Sequence, residues 1–266
     1  SMLKTLENRA LIFACGSAIA ALSQAGIQPH FCVAVDPNEE EFLRLKNGFF
    51  FETPLLYSTR VHPSVFSTLN GPFGYLRSAF SDVPQLWLEE EMGLKNPFIG
   101  HNLSTESISV TTLAVAAAHS LGCNPIAFAG LDMAYTANER YSSAVGAQQT
   151  TEEAKKKLQT ASDRVIWKKD RKGKKVYSAI RWVMESSSLS NYAKDHPSTQ
   201  FINTTEGGIG FKNIPYRPLE ELVETFQTEV DLRGKIHAEI ASSPLPPISI
   251  AFHLEELKQS LLKIIH

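Results

Sequence analysis

Residues 100–132 hold the densest set of groups able to do chemistry. Gly100-His101 opens a polar loop carrying Ser104, Thr105 and Glu106, and an Ala-rich helix is predicted over about 107–121. After Gly122-Cys123-Asn124-Pro125, a short apolar strand over 126–129 leads to Gly130-Leu131-Asp132. Hydroxyls at Ser104, Thr105, Ser107 and Ser109 crowd the helix start, where unpaired N–H groups and the helix dipole favour an anion. Asp132 leaves its strand at the carboxyl end, where open α/β sheets place their ligands. Taken alone, the stretch also fits plain capping and turn preference, since Ser and Thr cap helices and Asp follows strands in turns.

Other segments carry similar groups. Gly16-Ser17, Asp36, Ser58 to Arg60 and Asn203 to Gly208 each follow a short apolar run. His101 is placed as a general base in the loop before the anion-favouring helix, with His62 close to another exit. His119 lies inside the Ala-rich helix and reads as a packed or surface residue. Asp36 and Asp132 fit Mg²⁺ binding, proton abstraction or acceptance of ribose hydroxyls. Gly207-Gly208 permits either close approach of backbone to a ligand or a positive-φ turn. Lys168 to Lys175 is the one basic cluster, read as a solvated loop or as a lid carrying cations over phosphate.

These groups need a scaffold, and the pattern supplies one. Strands are predicted over 10–14, 31–35, 54–57, 73–76, 126–129 and 199–202. Between them lie helices over 18–24, from 39 to about 47, 65–69, 83–92, 107–121 and 178–194. Alternation of this kind implies an α/β, Rossmann-like, mostly parallel sheet with helices on both faces, so that strand exits share one crevice. Residues 1–216 read as the core, with 137–176 as a mobile insertion and 152–158 as a helical piece of it. Residues 217–266 read as a C-terminal helical appendage, with helices over 219–230 and 253–264 and a Pro-rich joint at 244–247.

Bulk properties narrow the class. The chain has 266 residues, 43% hydrophobic and 20% charged, enough for a sizeable core. A net charge of −2 gives no global attraction to nucleic acid. Cys15, Cys32 and Cys123 lie in or beside apolar segments without C-x-x-C spacing, as reduced thiols of a cytoplasmic protein do. No run approaches the roughly 20 apolar residues of a membrane span. The motifs G-x-G-x-x-G, G-x-x-x-x-G-K-[ST] and G-x-S-x-G are absent, and no histidine pair has metal-like spacing.

Three segments together resemble one family. Gly16-Ser17-Ala18 through Leu22, Gly26-Ile27-x-Pro29 and Val33 to Pro37 resemble its G-s-a-l-x-x-L-x-x-x-G-I-x-P-D-x-x-v-x-x-D-P pattern. Ser107 to Tyr135, with Tyr141, resembles S-V-x-x-x-A…L-G-x-x-P-I-x-x-x-G-x-D-L-A-Y-T. Phe201 to Gly208 is similar to I-N-x-T-E-G-G. The family is that of bacterial motility accessory factors, whose core is related to the archaeal 6-hydroxymethylpterin diphosphokinase, and the resemblance covers about 9–228. It implies a Rossmann-like domain related in architecture to sialyltransferases, moving a nonulosonic acid from a CMP-activated donor to Ser or Thr of a protein such as flagellin. Ser107, Ser109, Asp132, Glu206 and Gly207 would line the donor site.

Combined with the exits, this gives Asp132, His101 and Glu206 as catalytic candidates. Gly16, Ser17, Asp36, Ser107, Ser109, Asn203, Gly207 and Gly208 are the nucleotide-binding candidates. The expected ligand is a CMP-sugar, with Mg²⁺ compatible, no dedicated metal site, no covalent cofactor and no nucleic-acid partner. Alternative readings are an ATP-dependent pterin diphosphokinase and a non-catalytic binding or assembly module. The family's G-x-G-P-S-L phosphate loop normally precedes the segment matching residues 9–14 and has no counterpart here. Ser1-Met2 reads as a remnant of expression, so a chain truncated or diverged at its N-terminus is expected. His30 stands where the family has Asp, and Leu131 where it often has Gln.

Overall fold

The computed structural model describes residues 2–46, 48, 52–78, 83–95, 98–101, 103, 109–135, 164–243 and 250–265. A 3-10 helix (Met2–Leu6) leads into β1 (Phe13–Cys15), α1 (Ala18–Gln24), β2 (Phe31–Ala34), α2 (Glu39–Lys46), β3 (Leu55–Tyr57), α3 (Val65–Thr68) and β4 (Phe73–Tyr75). The strands pair in parallel in the order β1-β2-β3-β4, with Phe13 opposite Phe31, Cys32 opposite Leu55 and Leu55 opposite Phe73. Each step repeats the same strand–helix–strand crossover, so the sheet grows in one direction.

Alternation within β2 shows why both faces are covered. Cys32 and Ala34 face a core with Ile19, Leu45, Val61 and Val65, whereas Val33 and Val35 face Leu113 and Ala114. Every residue of β2 is buried, as expected of a strand flanked by helices on both sides. Burial, with a lesser contribution from Cys15, pushes the Cys32 thiol up to about 12, so it stays protonated and inert.

After β4, α4 (Val83–Glu91) is followed by a single parallel bridge between Ser78 and Ile99. Helix α5 (Val110–Ser120) lies across β1 and β2. Thr112 to Ala118 are all buried in it, and their small side chains let the helix sit close to the sheet. β5 (Ile126–Phe128) pairs in parallel with β8 (Phe201–Asn203). Phe13 of β1 packs into their core beside α6 (Ile180–Asp195), joining the two sheets through side chains.

Two expectations change here. Residues 137–163 of the expected insertion, with its helical piece, lie outside the described residues. The basic run beyond them is a hairpin rather than a loop: β6 (Val165–Lys169) pairs antiparallel with β7 (Lys175–Ala179). Its turn is closed by Asp170, whose Oδ1 accepts the N–H groups of Lys172 and Lys174 at 2.8 and 2.7 Å. A carboxylate bonding its own turn organises the lysines around it, which charge counting alone does not reveal.

The expected appendage is also partly part of the core. Leu222 of α7 (Leu219–Thr225) is 2% exposed beside the N-terminal 3-10 helix, and Val230 N–H donates to Asn8 O. Helix α8 (Leu232–Ser242), capped by Asp231, sends Arg233 to the carbonyls of Gln28 and Pro29. In α9 (Ile250–Ile265), by contrast, residues 254–264 are exposed. The Pro-rich joint lies outside the described residues.

His30, at the start of β2, is 2% exposed, and its Nδ1 accepts the Ile12 N–H at 3.0 Å while Nε2 has no partner. Burial, then Arg233, holds its pKa below the ordinary value, against a smaller opposing pull from Glu7. The unfolded chain therefore binds a proton near pH 6.5 that the folded chain resists, so stability falls as pH drops below about 6.5. His30→Asn keeps an acceptor for Ile12 and removes the titration. The urea midpoint of the variant is expected to shift less between pH 7.5 and 5.5 than that of the parent; an equal shift would exclude His30 as a source.

Candidate functional site

The carboxyl ends of β2, β3 and β4 open on a crevice of about 60 Å³. Val35 and Asp36 enter it from β2, Ser58 and Arg60 from β3, Ser78 and Gln85 from beyond β4, and Leu113 from α5. The loops are tied to one another: His62 N–H donates to Asp36 O at 3.0 Å, and the His62 ring stacks on Phe42. Arg60 is exposed at this rim and has no ion-pair partner among the described residues. Ser58 is buried beneath it.

The outer wall is a polar network centred on Glu89, which is 1% exposed. Thr59 Oγ1 donates to Gln85 Oε1 at 2.7 Å, and Gln85 Nε2 donates to Tyr75 Oη at 2.7 Å and Glu89 Oε1 at 3.1 Å. Tyr75 Oη donates to the same carboxylate oxygen at 2.6 Å, and Arg77 Nε donates to Glu89 Oε2 at 3.1 Å. Burial, then the Glu89 carboxylate, pushes the Tyr75 phenol well above its usual range. A buried carboxylate so fully bonded holds α4 against β4 and fixes Gln85 at the crevice wall.

The start of α5 differs from expectation in an instructive way. The helix begins at Val110, and Ser109 is its N-cap: Ser109 Oγ accepts the Thr111 and Thr112 N–H groups at 3.1 Å each. Thr112 Oγ1 accepts the Ser109 N–H in return, a capping box with Thr in the place usually taken by Glu or Gln. Ser109 Oγ–H donates to Glu185 of α6, so a carboxyl group of the chain itself occupies this helix terminus. Burial pushes the Glu185 carboxyl up, bonds from Ser109 and Thr111 and the charge of Arg181 pull it down, and Asp36 adds a smaller upward push. Ser109 thus serves Glu185 and the helix, and Ser107 lies outside the described residues.

The remaining candidates fall into two groups. Gly16 adopts φ +49° and donates to Val33 O, and Ser17 precedes α1 without making a capping bond. His101 is exposed, its ring edge-on to Phe98 at 6.0 Å. At the β5 and β8 exits the motif residues build architecture. Asn203 is 2% exposed and its Oδ1 accepts the Thr205 N–H. Thr204 Oγ1 donates to Phe128 O, and Thr205 Oγ1 accepts the Leu131 N–H. Gly208, at φ +73°, lies so close to Asp132 that a Cβ would fall 1.9 Å from the Asp132 carbonyl oxygen. The close backbone approach anticipated for Gly208 is therefore to the chain itself. Glu206 is exposed, Gly207 half-buried, and Asp132 half-buried, with its carbonyl taking the Ile209 N–H.

His119, at the far end of α5, bonds Tyr192 Oη at 2.8 Å and packs against His196, away from the crevice. Among the described residues no three His, Cys, Asp or Glu side chains group as a metal site, and no helix is long and apolar enough to cross a membrane.

Sequence reasoning missed Glu185, Gln85 and Ser78, and passed over Ser58 and Arg60 as one exit among several. Glu185 had a readable signal: it shares a helical stripe with Leu189, Tyr192 and Ala193, all buried. An acid on the apolar stripe of a helix needs a partner, and Ser109 supplies it.

A parallel sheet with helices on both faces and a polar crevice at its strand exits defines a Rossmann-like α/β domain. Residues 1–138 match the family described as 6-hydroxymethylpterin diphosphokinase MptE-like, and the chain belongs to that family. Among solved structures it is similar to the MAf glycosyltransferase from Magnetospirillum magneticum AMB-1, at 20% identity and a TM-score of 0.64. The match covers 91% of this chain and 34% of that one, so the chain spans about a third of that protein and shares its fold. No curated protein matches the sequence significantly.

Proposed function

We propose that the chain is the donor-binding core of a glycosyltransferase that uses a CMP-activated nonulosonic acid and glycosylates Ser or Thr of a protein such as flagellin. The observation that carries this reading is Arg60, a cation without an acid partner among the described residues, at the rim of a crevice that Asp36 and Ser58 also line. Arg60 takes the donor phosphate, Asp36 accepts ribose hydroxyls, and Ser58 and Ser78 offer further hydrogen bonds. In the transfer, the acceptor oxygen bonds the anomeric carbon, the bond to the phosphate oxygen breaks, and CMP leaves with the electron pair. The acceptor proton goes to a base, for which Asp132, at the exit of β5 and with its backbone against Gly208, is the first candidate. His101 and Glu206 are the other two.

A thermal-shift series over CMP, UDP, GDP and ATP, with and without Mg²⁺, tests this. A ligand at ten times its Kd stabilises by about 1.4 kcal/mol, which in a chain of this size raises Tm by a few degrees. CMP is expected to give that rise, and Arg60→Ala to weaken binding by about 10–100-fold, the value of a charged hydrogen bond. The description of the family supports a second reading, diphosphate transfer from ATP to a hydroxymethylpterin. Asp36 is a carboxylate of the kind that holds Mg²⁺ alongside phosphate oxygens. A rise with ATP and Mg²⁺ but not with CMP would replace the first reading with the second.

A further inference from the structure

The β6–β7 hairpin carries features that folding alone does not account for. Ile180 N–H donates to Arg164 O at one end, and Asp170 N–H donates to Lys174 O at the other. With Trp167 opposite Tyr177 and Lys169 opposite Lys175, both of these pairs fall at the non-hydrogen-bonded positions of the ladder. There, facing Cα atoms come within about 4.5 Å and side chains are closest. Two lysine side chains thus leave the sheet from directly facing positions, and like charges so placed destabilise a sheet. Lys168, Lys169, Lys172, Lys174 and Lys175 have no acid partner among the described residues. Beside them Trp167 is 61% exposed, with Lys175 Nζ 5.8 Å from its ring centre.

The same register turns the backbone groups of Trp167 and Lys169 off the outer edge of β6. The outer edge of β7 is engaged, because Tyr177 O accepts the Tyr135 N–H at 2.8 Å. The hairpin is also held in place. The Arg171 guanidinium lies 3.5 Å over the Tyr216 ring, Arg171 N–H donates to Gly208 O, and Ser178 Oγ–H donates to Met133 O. Lysines on an edge strand commonly guard against unwanted pairing. A guard requires neither an opposed lysine pair nor a large exposed indole beside it.

We propose that the outer edge of β6 at Trp167 and Lys169 is a docking strand for an extended acidic segment of a partner protein. The segment adds a strand through backbone hydrogen bonds to Trp167 and Lys169. On the face shared by Trp167, Lys169 and Lys175, an acidic side chain meets the two lysines and an apolar side chain two residues away covers Trp167. The exposed N–H and C=O groups select a polypeptide over a nucleic acid, which has no matching alternation to offer. The hairpin lies outside the crevice, and this docking stands independently of the function proposed above.

Fluorescence anisotropy with the whole 266-residue chain tests it, using a labelled nonapeptide in which Glu and Val take turns at the odd positions and Thr fills the even ones. Saturable binding is expected, at least 10-fold weaker for the double variant Lys169→Glu, Lys175→Glu. A nonapeptide with Lys replacing Glu is expected to bind that variant and not the parent, which also shows the variant to be folded. A Glu peptide N-methylated at alternate backbone positions is expected not to bind. No binding of the Glu peptide, equal binding of its N-methylated form, or tighter binding of a ten-residue oligothymidylate would each overturn the proposal.

Discussion

Gly208→Ala is expected to destabilise the protein by at least about 3 kcal/mol, the largest loss from any single methyl group added at a described glycine. Gly208 sits at φ +73°, where an L-residue costs about 1–2 kcal/mol before any contact is considered. Its added Cβ would lie 1.9 Å from Asp132 O and 2.5 Å from both the carbonyl carbon and Cα of that residue. These are backbone atoms of the neighbouring strand exit, so no side-chain rotation relieves the clash. Gly130 separates the two costs, because it has a similar φ of +69° with nothing within 4 Å of an added Cβ. Gly130→Ala should therefore lose only the 1–2 kcal/mol of backbone strain. In a chain of this length the Gly208 variant should melt roughly 6–12 °C lower than the parent. Equal losses for the two variants in urea titrations would show that the approach to Asp132 has no energetic weight.

The second large effect is expected at Glu89. Removing its carboxylate with Glu89→Ala takes one charged partner from Arg77, which is 15% exposed, and leaves Tyr75 and Gln85 without their shared acceptor. Taking one partner from a buried ion pair typically costs about 3–5 kcal/mol, because the remaining charge keeps its desolvation penalty. Arg77 would keep its place over the Phe98 ring, at 4.3 Å, but ring contact replaces only part of a carboxylate. Gln85 lines the crevice, so the same variant should also weaken whatever ligand the crevice takes. Glu89→Gln, which keeps an acceptor and loses the charge, should fall between parent and Ala in both measurements. A Glu89→Ala protein within about 1 kcal/mol of the parent would show the network to be incidental.

Much of this architecture was legible in the residue order. The helix over 18–24 coincides with α1, and within the described residues the other predicted helices and parallel strands fall within a few residues of those observed, except that the helix predicted over 219–230 ends at Thr225. Hydrophobic period and turn residues act over a few positions, so they can be read locally. The start of α5 shows where such reading ends. Four hydroxyls precede the helix, but a cap requires one oxygen placed to accept two specific N–H groups, and Ser109 meets that condition. The basic run from Lys168 to Lys175 reads as loop because charge dominates its composition. Its pairing depends on Asp170 closing the turn and on contacts with Tyr135 and Met133, more than 30 residues earlier. Helix α8 was missed because Gly234 falls in its first turn, where Asp231 still caps it.

By itself the sequence determined the class of fold, the order of its elements and the edge of the sheet on which polar groups collect. Those properties follow from short-range periodicity and from the handedness of strand–helix–strand connections. Only the tertiary structure decided which polar residues share a space. It set Glu185 against Ser109 across 76 residues, bonded Asn203 to Thr205, set Gly208 against Asp132, and left Arg60 with Asp36 at the crevice. The physical reason is that burial and pairing depend on neighbours brought together by packing. A carboxylate, a glycine or an arginine has the same local signature whether its partner is the chain or a ligand.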